Sequence, residues 1–178
     1  MKTVKIKDKE FEVFIPAEEI YKAIDCIAEK MNKDLEGKNP LFVCVLNGSF
    51  MFAADLLKRI SIPSEISFVR MSSYSGTAST GDVKMIYGLE ESIEGRTVVV
   101  LEDIVDTGNT MVRMLKQLEA LNPKEVKVST LLLKPEALQH DVQLDYIALN
   151  IPSDFIIGYG LDYDGFGRNF PDIYKIKE

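Results

Sequence analysis

Residues 98–110, VVVLEDIVDTGNT, constrain this chain more than any other stretch. Four apolar β-formers run from Val98 to Leu101 into two acids, Glu102 and Asp103. A third acid, Asp106, follows, then Thr107, Gly108, Asn109 and Thr110. After them Met111, Met114, Leu115 and Leu118 recur at helical spacing. The order predicts a buried strand that ends at its carboxylates and turns through Thr-Gly into a helix over 109–121. Free amides in the first turn of a helix attract anions. Carboxylates repel a bare anion but suit sugar hydroxyls and a hard cation such as Mg²⁺. Together they point to a phosphorylated sugar held with a metal.

The flanking sequence supplies the frame for such a strand. Val4, Ile6, Phe11 and Val13 alternate around a polar 7–10 turn, which predicts a hairpin. Ile20, Ile24, Ile27, Met31 and Leu35 mark a helix, with Gly37 beyond its end. The run LFVCVL at 41–46 is a buried strand, and Asn47-Gly48-Ser49 turns from it into a helix reaching about Arg59. Strands are predicted at 65–71, 83–87, 126–133, 146–149, 155–157 and 173–176. Strands that alternate with helices over 20–133 imply an α/β fold with a parallel sheet covered on both faces. Ligands of such sheets sit at the carboxyl ends of the strands. Three polar turns fall there: 47–49, 102–110 and Lys134. The stretch SSYSGTASTGD at 72–82 has no core-forming pattern and is expected to be a functional loop.

Several classes of function are disfavoured. A net charge of −7 argues against a broad nucleic-acid surface. No apolar run is as long as a membrane span, and the N-terminus lacks a signal-peptide core, so a cytoplasmic protein is expected. Cys26 and Cys44 show no metal-ligand spacing and are expected to be buried, reduced thiols. With no linker or repeat, 178 residues are expected to form a single domain over 1–178. No G-x-x-x-x-G-K-[ST] is present. Gly158-Tyr159-Gly160 begins like a dinucleotide fingerprint, but Tyr163 occupies the last glycine position. The only histidine, His140, lies in a polar loop, which leaves a hydrolase triad without a base.

Each candidate residue also has an ordinary structural use. Glu102 and Asp103 could be a solvated strand end, and Asp106 a helix cap. Thr107, Gly108 and Thr110 could be only a turn, although a phosphate nest uses the same atoms. Lys134, Asp162 and Arg168 could be surface charges, and Phe155 could be core.

The motifs taken together resemble one family. VVVLEDIVDTGNT resembles the 5-phosphoribosyl-1-diphosphate (PRPP) motif of the type I phosphoribosyltransferases. LNGSF (46–50), SSYSGTASTGDV (72–83), LLLK (131–134) and PSDFIIGYGLDYDGFGRNFPDI (152–173) are similar to the hypoxanthine-guanine branch. The likeness covers nearly the whole chain in order. It implies the type I phosphoribosyltransferase fold: a central, mostly parallel sheet flanked by helices, with a small hood lobe from the terminal segments.

The resemblance also implies a reaction and a set of roles. The family transfers ribose 5-phosphate from PRPP to N9 of a 6-oxopurine, hypoxanthine or guanine, releasing pyrophosphate in purine salvage. Asp106 would be the general base near the purine N7. Glu102 and Asp103 would hold the ribose hydroxyls and support Mg²⁺. Thr107, Gly108, Asn109 and Thr110 would cradle the 5-phosphate. Lys134 would donate to the purine O6, Phe155 would stack on the ring, and Ile156 and Asp162 would meet its edge. Asp162 would also ligate a second metal. Asn47, Gly48, Ser73, Tyr74 and Arg168 would contact pyrophosphate, with a cis peptide at Leu46-Asn47 and with 72–82 as a lid. Asn47 stands where many members carry lysine or arginine. A homodimer or homotetramer is implied, and exposed methionines would suit its interface. A xanthine-preferring enzyme, or a nucleic-acid-binding regulator on the same fold, are the alternatives.

Overall fold

The structure, a computed structural model, describes residues 3–73 and 84–177. In chain order the elements are β1 (Thr3–Ile6), β2 (Lys9–Ile15), α1 (Ala17–Asp34), β3 (Leu41–Leu46), α2 (Phe50–Leu57), β4 (Glu65–Ser73) and β5 (Lys84–Tyr87). Then come β6 (Thr97–Val105), α3 (Asn109–Glu119), β7 (Glu125–Leu133), a 3₁₀ turn (Pro135–Ala137), β8 (Tyr146–Asn150), β9 (Ile156–Ile157) and β10 (Ile173–Ile176). The main sheet has the order β5-β4-β3-β6-β7-β8. All its neighbouring pairs are parallel except β4 with β5.

The continuous apolar strands make sense because both of their faces are covered. Phe42, Cys44, Val99 and Leu101 join the core beneath α1 and α2. Leu41, Val43, Val45, Val98 and Val100 join the core beneath α3, with Met111, Met114 and Leu118. Side chains alternate across a strand, so one apolar run feeds both layers. On α1, Ile20, Ile24, Ile27 and Met31 are buried at helical spacing. Cys26 falls off that stripe and is exposed, contrary to expectation, whereas Cys44 is buried as expected. Loss of solvent pushes the Cys44 thiol up to about 11, so it stays protonated.

The second, antiparallel sheet has the order β1-β2-β10-β9 and draws on both terminal segments. Ile6, Phe11, Ile157 and Tyr174 form its core. A part-buried link ties the region after β9 to α2: the Tyr159 hydroxyl donates to Asp55 Oδ2 at 2.6 Å. Among the described residues no helix is long and apolar enough to cross a membrane.

Two local expectations need correction. The strand at 98 does not stop at its acids. It runs on to Val105, because β7 supplies ladder partners for Glu102, Ile104 and Val105. The methionines whose side chains are described are not exposed: Met31, Met111 and Met114 are buried, and Met51 and Met71 are half-buried.

Candidate active site

Parallel strands bring their carboxyl ends to one edge, and three chemical groups emerge there. Asn47 follows β3, Asp106 follows β6 and Lys134 follows β7. Val105 pairs with Leu133, so Asp106 and Lys134 leave the sheet side by side. The Lys134 amide donates to the Val105 carbonyl at 3.0 Å. Its Nζ donates to Asp106 Oδ2 at 3.1 Å. The lysine side chain is 11% exposed and the aspartate 48%. A nearly buried ammonium therefore faces one half-open carboxylate, and a ligand acceptor can enter beside it.

Glu102 and Asp103 are neighbours in β6, and their two carboxyl groups meet. Glu102 is buried and lines a pocket of about 100 Å³ with Asp106, Thr107, Gly108, Asn109 and Thr110. Asp103 lies against the 47–49 turn. A Cβ on Gly48 would sit 1.5 Å from Asp103 Oδ2, so any other residue there would displace the Asp103 carboxyl. A Cβ on Gly160 would sit 2.0 Å from the Gly48 carbonyl oxygen. Three distant segments thus converge on one backbone. Arg168 closes the group, with Nη1 donating to the Gly160 carbonyl at 2.7 Å and Nη2 pairing with Asp162 Oδ1 at 2.7 Å.

Burial holds the Glu102 carboxyl well above the usual carboxylate range, with Asp103 adding repulsion. Burial also raises Asp103, against hydrogen bonds and the nearby Arg168 guanidinium, which lower it. Such a pair resists carrying two charges unless a cation or donors compensate it. The donor set therefore fits a hard divalent cation. No described group of three His, Cys, Asp or Glu side chains is arranged to hold a metal ion. Substrate and water oxygens would complete the shell, as Mg²⁺ prefers.

The 106–110 turn owes its shape to Gly108, whose φ of +83° suits a residue without a Cβ. Thr107 and the first residues of α3 line the same pocket as Glu102. The 138–142 loop packs over the turn, and the Gln139 amide donates to the Thr107 carbonyl at 3.0 Å.

The remaining candidates divide. The Leu46-Asn47 peptide is cis. The Ser49 hydroxyl is buried and donates to the Val45 carbonyl, and its amide also points back at that carbonyl, at 3.4 Å. Phe155 lies just before β9, 46% exposed, and leans on Phe11 and Tyr163 at ring distances of 6.3 and 5.8 Å. Ile156 is buried in β9. Asp162 Oδ2 accepts the Gly165 amide at 2.7 Å, so both of its oxygens are engaged. Ser73 ends β4, while Tyr74 and the rest of the lid stretch through 82 lie outside the described residues. Sequence reasoning missed Arg70, whose Nη2 donates to Asn47 Oδ1 at 2.6 Å. Only the parallel register, Leu46 opposite Arg70, brings it there.

Residues 16–164 match the model of the phosphoribosyl transferase domain family. The chain is 44% identical over 153 residues to a hypoxanthine-guanine phosphoribosyltransferase of Streptococcus agalactiae, covering 85% of each chain. It is 42% identical to the enzyme of that name from Streptococcus thermophilus, again over 85% of each. In three dimensions it is similar to a hypoxanthine phosphoribosyltransferase from Staphylococcus aureus, with a TM-score of 0.86 and 38% identity over 93% and 91% of the two chains.

Proposed function

The chain belongs to the hypoxanthine-guanine phosphoribosyltransferase family, and from that premise we propose that it transfers the 5-phosphoribosyl group of PRPP to N9 of hypoxanthine and guanine. The products are IMP or GMP and pyrophosphate, and the metal is Mg²⁺. The observation that carries the proposal is the Lys134–Asp106 pair, set beside the Glu102-lined turn that opens α3. One group reads a base and the other acts on it, at the rim of a pocket suited to a sugar phosphate.

The bond from ribose C1 to pyrophosphate breaks as C1 bonds to the purine N9. Positive charge develops at C1 in the transition state. Asp106 takes the proton that the purine loses at N7, so the nucleotide forms with a neutral ring. Glu102 and Asp103 hold the ribose hydroxyls, with Asp103 fixed against Gly48. Thr107, Gly108, Asn109 and Thr110 bind the 5-phosphate through amides and hydroxyls. Asn47, Gly48, Ser73, Tyr74 and Arg168 bind pyrophosphate. Phe155 stacks on the purine, while the Ile156 backbone and Asp162 meet its edge. Glu102, Asp103 and Asp162 support Mg²⁺, which when bound neutralises the leaving pyrophosphate.

Lys134 accounts for the choice of base. A lysine whose side chain is 11% exposed has N–H donors beyond the one given to Asp106, and O6 of a 6-oxopurine accepts from them where adenine presents a donor. Lys134→Ala is expected to raise the KM for hypoxanthine about ten- to hundredfold, the worth of a charged hydrogen bond. The KM for PRPP should move much less, and equal loss of both would remove this role. The proposal as a whole is tested by incubating the protein with PRPP, Mg²⁺ and hypoxanthine, guanine, xanthine or adenine in turn, following nucleotide formation by ultraviolet absorbance. Turnover of adenine alone, or of no base, would overturn it.

A further inference from the structure

The 106–110 turn is wired to a loop that the reaction scheme leaves idle. The Thr107 hydroxyl oxygen accepts from the Asn109 backbone amide at 3.4 Å and from Asn109 Nδ2 at 3.0 Å. A hydroxyl has two lone pairs and one proton to give. With both lone pairs engaged, Thr107 is left with its O–H alone, a donor for whatever enters the turn. Asn109 is itself oriented, because its Oδ1 lies 2.7 Å from His140 Nε2. A carbonyl oxygen only accepts, so Nε2 must carry the hydrogen. Were the Asn109 amide turned over, its oxygen would claim the Thr107 proton and the donor would be lost.

His140 is held in place to do this. The Gln139 amide is bonded to the Thr107 carbonyl. Side-chain atoms of Leu138, Val142 and His140 come within 3.2, 3.3 and 3.6 Å of where a Cβ on Gly108 would stand. Within four residues of the contact in sequence, the turn, helix and loop carry the ionisable side chains Asp106, Arg113, Glu136 and Asp141.

We infer that His140 is a positioning residue for the phosphate end of the substrate, orienting Asn109 so that Thr107 presents its hydroxyl proton to the ribose 5-phosphate group. The inference rests on the proposed reaction and deepens it. It assigns work to the chain's only histidine, which touches no reacting atom.

The test compares the full-length chain with His140→Ala and His140→Gln, the glutamine restoring an N–H donor. His140→Ala should raise the KM for PRPP about three- to tenfold, the worth of one ordinary hydrogen bond, with kcat and the KM for hypoxanthine within about twofold. His140→Gln should recover most of the loss. A single histidine gives one Cε1–H signal in NMR. Saturating ribose 5-phosphate should move that signal at fixed pH, because the bound anion acts on the ring through Thr107 and Asn109. An unchanged KM for PRPP in His140→Ala would overturn the inference. So would a signal unmoved while calorimetry shows ribose 5-phosphate bound, or a general loss of stability and of both substrate affinities that glutamine does not rescue. If the wild-type chain binds no ribose 5-phosphate at all, the proposed reaction falls together with the relay.

Discussion

Asp106→Asn lowers turnover about 10²–10⁴-fold, by expectation, while the protein stays folded and keeps most of its affinity for PRPP. That range is the usual worth of a positioned general base. The substitution preserves shape, so the turn and the helix beyond it should persist. It removes the group that can accept the purine proton. It also takes the carboxylate away from Lys134 Nζ, 3.1 Å distant, leaving a nearly buried ammonium to find the amide oxygen instead. Some loss of base affinity should accompany the loss of kcat. The measurement is kcat with saturating hypoxanthine and PRPP, alongside thermal unfolding of both proteins. A rate within tenfold of wild type would mean that Asp106 only pairs with the lysine, and that another acceptor takes the proton.

How far the sequence announces this site depends on the distance over which each signal acts. Asp106 and Lys134 are legible because each directly follows an apolar strand, and parallel packing brings such strand ends to one edge. That the Glu102 and Asp103 carboxyls meet is not legible, since alternation along a strand would part them, and neither is the full length of β6. Apolar patterning suggests that it stops at Leu101, yet Thr130 and Leu132 across the ladder carry it on. Cys26 shows the same limit in reverse: apolar neighbours in sequence do not bury a residue that falls off the helix's inner stripe. Arg70, Gly160 and His140 are harder still. Their contacts are to Asn47, Gly48 and Asn109, at separations that no local periodicity encodes. Register and loop packing decide them, and both are tertiary.

Gly160→Ala should damage the site through a single methyl group. Gly160 sits at a φ of +99°, where an L side chain is strained. Its Cβ would fall 2.0 Å from the Gly48 carbonyl oxygen and 3.1 Å from that carbonyl carbon. Backbone cannot swing aside as a side-chain tip can, and Gly48 has no room to retreat because Asp103 already fills the space a Cβ would need. The 47–49 turn must therefore shift, taking Asn47 away from Arg70 and loosening the bond from Arg168 to the Gly160 carbonyl. Strain and overpacking together should cost about 2–5 kcal/mol. Turnover should fall more than about a hundredfold, since misplacement by an ångström is enough for that. Gly37→Ala provides the comparison. It also has a positive φ, +73°, but nothing stands within 4 Å of its Cβ, so only about 1–2 kcal/mol of backbone strain is expected, without loss of activity. Urea unfolding and kcat/KM for PRPP, measured on both variants, separate collision from conformation. If Gly160→Ala proved as stable and as active as Gly37→Ala, the convergence of Gly48, Asp103 and Gly160 would have no bearing on how this side of the site is held.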